Sequence, residues 1–318
     1  MRDLADQRGF GIGAAVAVQP LRDVPLYGET LAREFNMLTP ENVMKPMYIQ
    51  PERGVFKFDA ADMLVEFAEK HAMRVRGHTL VWHNQLPAWM RDGKFGRDEL
   101  SEILRQHIIT TVSHYRGRVY AWDVVNEAIN DQAGWRDTIW YKTLGENYLA
   151  DAFRWAHEAD PDALLFYNDY NADGLGAKSD AIYQLVKDLL AQGVPIHGVG
   201  LQMHIGADDP PPAQDVAANI ARLNTLGLQV QITEMDVKIQ KLDGDQESRY
   251  ARQAEVYGEI AKVCLEAENC TALVLWGFSD AYSWIPGFTG HPDDPLIFDR
   301  NFQPKPAYHA LVKALQEG

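Results

Sequence analysis

The amino-acid sequence predicts an α/β protein, a (β/α)8 (TIM) barrel forming a single domain over residues 1–318, on three observations. First, eight short apolar, β-prone runs recur with starts roughly 25 to 45 residues apart, the length of a strand, a helix and their loops. Second, most of these runs are apolar on both faces, as in Ala272-Leu-Val-Leu-Trp276, which suits a parallel sheet covered by helices. Third, no Pro-rich or Gly/Ser-rich linker, charge block or low-complexity stretch divides the chain. The competing architecture, a doubly wound open sheet, asks for a Gly-rich turn after the first strand. Gly11-Ile-Gly13 instead continues into Ala-Ala-Val, with neither the third glycine nor a helix start.

In chain order, strands are expected at 10–16, 34–38, 74–81, 119–125, 163–167, 197–201, 229–233 and 272–278. Helical periodicity fills the gaps at 60–71, 98–115, 146–158, 179–192, 213–226 and 248–265. The first run resembles the apolar part of an export signal, but Asp3 and Asp6 offset Arg2 and Arg8 where such a signal is basic, so it is read as the first strand.

Composition narrows the function. Hydrophobic residues at 46% and charged residues at 24% describe an ordinary soluble globular protein. The formal charge of −15 repels phosphate backbones and anionic lipid, so nucleic acid and membrane surfaces are not expected partners. No run approaches the roughly 20 apolar residues of a membrane span. Two cysteines are too few for a disulfide framework or a four-thiolate zinc site.

In a barrel, chemistry sits at the C-terminal ends of the strands. There the chain places Thr39-Pro-Glu41-Asn42 and Lys45, then His78, Trp82 and His83, Asn126-Glu127, and Tyr167-Asn168-Asp169-Tyr170. Gln202 and His204, Glu234 and Asp236, and Trp276, Asp280 and Trp284 follow. Glu127 and Glu234 stand out because each ends an apolar run without a break, on the fourth and seventh strands, which face each other across the barrel mouth. Two carboxyl groups are the minimum for cleaving a glycosidic bond: one holds a proton for the leaving oxygen, and the other is ionised to attack or to activate water. Trp82, Trp276 and Trp284 lie at or beyond strand ends, where indole faces match the apolar faces of sugar rings. Trp122 is expected in the core. The sixth strand neighbours the seventh, so His204 is within reach of Glu234, with Asp236 holding the imidazole in one tautomer. His78, His83 and His204 match no metallopeptidase spacing, and no Gly-x-Ser-x-Gly elbow is present, so neither a metal nor a serine triad is expected.

Six ordered motifs, residues 39–45, 77–83, 122–128, 200–204, 232–236 and 276–280, resemble glycoside hydrolase family 10, the endo-β-1,4-xylanases, and the likeness runs from Gly11 to His309. The resemblance implies a retaining hydrolase without a cofactor, with Glu127 as acid/base and Glu234 as nucleophile. It implies Glu41, Asn42, Lys45, His78, Trp82 and Gln85 as the floor and walls on the non-reducing side, with Asn126 donating to the 2-hydroxyl of the sugar being cleaved. It further implies Gln202 and His204 as supports of the nucleophile, Tyr167 as an aglycone-side stacking residue, and Trp276 and Trp284 as a roof. A Cys264–Cys270 bridge is implied likewise, with two unpaired buried thiols as the alternative; a bridge suits an oxidising compartment, so an extracellular location is expected and an intracellular one is left open. Xylan and xylooligosaccharides are then the expected partners, and an open groove suits a monomer. The loop after Trp284 departs from the pattern, and Phe288 and His291 are expected to border the glycone end. The alternatives are a hydrolase of another β-1,4-glycan and a sugar-binding barrel without turnover.

Overall fold

A computed structural model describes residues 1–317. Among these residues nine parallel strands form: β1 (Gly11–Val16), β2 (Met37–Pro40), β3 (Arg74–Val81), β4 (Ala121–Asn126), β5 (Leu164–Asp169), β6 (Gly198–Leu201), β7 (His204–Gly206), β8 (Gln229–Lys238) and β9 (Cys270–Leu275). Eight of them close a barrel in the order β6-β5-β4-β3-β2-β1-β9-β8, sealed by pairing of β6 with β8. The ninth, β7, is a three-residue strand pairing only with the outer half of β8, His204 opposite Asp236. Each of the eight predicted runs corresponds to a barrel strand.

Most strand bounds shift by a few residues from expectation, and two of the differences have a structural cause. Residue 34 was placed in a strand, yet Glu34 ends the helix Pro25–Glu34, where its carboxylate meets the N-terminal ammonium of Met1 at 2.9 Å and accepts from the Tyr308 hydroxyl at 3.0 Å. The seventh barrel strand runs to Lys238 rather than ending at Thr233, because β7 extends its ladder. The helices Pro25–Glu34 and Pro306–Glu317 were not anticipated, and the latter packs on Gln246–Glu266. Among the described residues, no helix is long and apolar enough to cross a membrane.

Strand alternation decides what enters the barrel, and irregularities at the strand ends decide what reaches the mouth. Strict period 2 sends neighbouring side chains to opposite faces. In β8, Thr233 and Glu234 nevertheless both bond to Asn168 of β5, because the register with β9 slips between Ile232 and Met235. A matching slip between Asp123 and Val125 in β4 lets Asp123, and then Asn126, turn inward. Gly77 of β3 lies opposite Trp122 of β4, and a Cβ there would sit 2.3 Å from the indole ring. Glycine is what allows Trp122 to lie flat beneath the helices.

Candidate active site

Glu234 is almost wholly buried and held from two sides. Asn168 Nδ2 donates to its Oε1 at 2.7 Å, and His204 Nε2 lies 3.1 Å from its Oε2. Burial favours the protonated acid, but His78 and His204 outweigh it, and Glu234 is held below the ordinary carboxylate range. His204 in turn meets Asp236 Oδ2 through Nδ1 at 2.8 Å, and the Trp284 indole donates to the same oxygen at 2.9 Å. Burial opposes charge on His204, yet Asp236 and Glu234 prevail and push its pKa up to about 10. Asp236 thus holds the ring as expected, and the raised pKa favours its protonated form. His204 is an imidazolium at neutral pH and donates from both nitrogens.

Glu127 follows β4 in a left-handed conformation with φ of 60°, which swings its carboxyl group into the mouth. Its Oε1 accepts from Gln202 Nε2 at 3.1 Å and from Asn126 Nδ2 at 3.3 Å. Gln202 and Asn168 also donate to Asn126 Oδ1, at 3.1 and 2.9 Å. Side-chain amides thus link the two carboxyl groups in one hydrogen-bonded patch. His83 stands 3.9 Å from Glu127 Oε2, and burial, then Arg136 and Lys178, push its pKa down to about 4. It faces Glu127 as a neutral imidazole. Sequence reasoning weighed His83 only as a metal ligand, although its position one residue after Trp82 was the available signal.

The remaining motifs gather around this pair. After β2, Lys45 Nζ donates to Asn42 Oδ1 at 3.0 Å, Gln85 Nε2 donates to the same oxygen at 3.2 Å, and Asn42 donates to Glu41 at 3.2 Å. Burial raises Glu41 and lowers Lys45 from their ordinary values. The Lys45 ammonium lies 4.9 Å from the Trp82 ring centre and 5.7 Å from that of Trp276. His78 packs edge-on against Trp276 at 5.0 Å, and Trp284 against His204 at 5.0 Å. Phe288 projects into solvent, 74% exposed, with its ring 4.8 Å from Trp284. A cavity of about 510 Å³ opens outward from His204 between the segments after β5, β7 and β8.

Tyr167 does not fit its expected stacking role. It is completely buried, its hydroxyl donates to Asp169 Oδ2 at 2.5 Å and accepts from the Ile129 backbone N–H at 3.1 Å, and no face is open to a sugar. The half-buried aromatic at this rim is Tyr170, three residues on, with Lys178 Nζ 3.6 Å from its ring centre and its hydroxyl accepting from Arg136 at 2.9 Å. Cys264 and Cys270 form a disulfide joining the helix Gln246–Glu266 to β9. Among the described residues, no group of three or more His, Cys, Asp or Glu side chains is placed to hold a metal ion.

The family model described as "Glycosyl hydrolase family 10" matches residues 1–314. Endo-1,4-beta-xylanase B of Thermotoga neapolitana is 46% identical, covering 100% of this chain and 92% of its own length. A beta-1,4-xylanase of Dictyoglomus thermophilum is 43% identical over 96% of this chain and 88% of its own. Among solved structures, xylanase 10B of Thermotoga petrophila in complex with xylobiose superposes with a TM-score of 0.97 at 45% identity, covering 99% of this chain and 97% of that one. An intracellular xylanase of Thermoanaerobacterium saccharolyticum gives 0.88 at 40% identity, with 95% of both chains covered.

Proposed function

This chain belongs to glycosyl hydrolase family 10, and from that premise we propose that it is an endo-1,4-β-xylanase cutting internal bonds of xylan with net retention. The observation that carries the mechanism is the unequal setting of the two carboxyl groups. Glu234 lies against the His204 imidazolium and His78, an environment that keeps it ionised, whereas Glu127 accepts only from neutral amides and faces a neutral His83. In the first displacement Glu234 attacks the anomeric carbon, the glycosidic C–O bond breaks, and Glu127 delivers its proton to the leaving oxygen. In the second, Glu127 removes a proton from water, the resulting oxygen attacks the same carbon, and the Glu234 ester is released as carboxylate.

Asn126, Gln202, His204 and Asp236 orient the pair. Glu41, Asn42, Lys45, His78, Trp82 and Gln85 bind the sugars on the non-reducing side, under Trp276 and Trp284. Lys45 above the Trp82 ring crowds the place of a C6 hydroxymethyl group, which favours xylose over glucose. The enzyme acts as a monomer outside the cell without a cofactor, and the Cys264–Cys270 bridge supports an oxidising compartment.

Parallel assays on xylan, carboxymethylcellulose and mannan, with the Glu234→Ala variant as control, test this reading. Release of reducing ends from xylan above the other two, lost in the variant, is expected. Preference for another glycan, binding without release, or an active Glu234→Ala enzyme contradicts it.

A further inference from the structure

Beneath the nucleophile lies an ion pair that the reaction does not touch. Arg76 of β3 and Asp123 of β4 are fully buried inside the barrel and pair through Arg76 Nη1 and Asp123 Oδ2. Arg76 Nε donates to Gln231 Oε1 at 2.9 Å, and the guanidinium lies 5.1 Å from the Phe166 ring centre. The same Asp123 Oδ2 meets His78 Nδ1 at 2.9 Å, and that nitrogen is 3.8 Å from Glu234 Oε1. Arg76 Nη2 and Asp123 Oδ1 have no hydrogen-bond partner among the described residues.

A buried pair with unmet polar atoms is a poor way to stabilise a barrel, because apolar residues of similar volume do so without the desolvation cost. Its position supplies a different reason. Asp123 holds His78 against the nucleophile, and its negative charge, left alone in a medium of low dielectric, would favour a proton on Glu234. The titratable and charged groups facing Glu234 are His78 from β3, Asp123 from β4 and Glu127 just after it, Lys45 after β2, His204 from β7, and Asp236 behind His204. Asp236 has the His204 imidazolium as its counter-charge, and Arg76 is the matching counter-charge to Asp123.

We propose that Arg76 is a positioning residue for the glycosyl transfer step: it cancels the charge of Asp123, so that Asp123 can hold His78 beside Glu234 without suppressing ionisation of the nucleophile. The proposal rests on the reading of Glu234 as nucleophile. Arg76 touches no sugar and acts through Asp123 and His78.

The test is the rate at which an activated 2-fluoro-xylobioside labels the enzyme, followed against pH, with the labelled residue identified by mass spectrometry. In Arg76→Met the acid limb moves up by roughly one pH unit, the scale on which a neighbouring charge moves a carboxyl group. In Asp123→Asn it moves down. In the double variant the two changes offset and the limb returns toward that of the parent, and Arg76→Lys, which keeps the charge, leaves it in place. Limbs that coincide in the single variants, or a double variant that stays shifted, overturn the proposal, since a purely structural role lowers activity without moving the limb in opposite directions. If Arg76→Met does not fold, Asp123→Asn alone decides, because its limb either falls or stays. Label on a residue other than Glu234 instead contradicts the nucleophile assignment.

Discussion

At the scale of single residues, the proposed division of labour between Glu127 and Glu234 rests on what each one touches. Glu127→Ala removes the proposed proton donor, so activity on xylan is expected to fall by roughly 10²–10⁴-fold, with much less loss on aryl xylosides whose leaving groups need no proton. Azide added to that variant restores turnover and yields a xylosyl azide; equal losses on both substrates without azide rescue contradict the role. His204 makes a pH prediction with a definite sign. Its folded-state pKa of about 10 stands above the ordinary 6.5, so its contribution to stability is full below about pH 6.5 and is lost as pH rises through about 10. Urea denaturation across that window is expected to show the parent losing its advantage over His204→Asn, and a constant difference counts against the imidazolium. The positions of Glu127 and Glu234 at the barrel mouth were legible in the sequence because each ends an apolar run, and that of His204 because it lies just beyond one. Tyr167 was misread because Tyr167 and Tyr170 flank the same Asn-Asp pair, and only the backbone path after β5 decides which one reaches the rim. Arg76 and Asp123 escaped notice for another reason: a charge inside an apolar strand reveals its partner only once the barrel closes.

At the scale of elements, eight strands were visible as apolar runs, while the devices that aim their last residues were not. The slips in β4 and β8 and the left-handed turn at Glu127 depend on pairing with neighbouring strands, which no local pattern records. The strand β7 was hidden because three residues carry too little pattern. The Gly77–Trp122 contact is where element packing is most exacting. Gly77→Ala forces a methyl group into the indole or the strands apart, an overpacking expected to cost about 1–3 kcal/mol in chemical denaturation. Unchanged stability would show that β3 and β4 yield more readily than their register suggests.

At the scale of the whole molecule, the barrel brings together two acids that lie in different halves of the chain, and its acidic surface, with a net charge of −15, suits a neutral polymer better than a polyanion. The overall architecture was legible because strand–helix alternation without a linker leaves few alternatives. In the proposed reaction Glu234 attacks carbon and is later displaced by water, two inversions that together retain configuration. Proton NMR of a xylooligosaccharide digest in its first minutes reads this directly. The β-anomer of the new reducing end is expected first and the α-anomer later by mutarotation; α-anomer as the initial product would contradict retention.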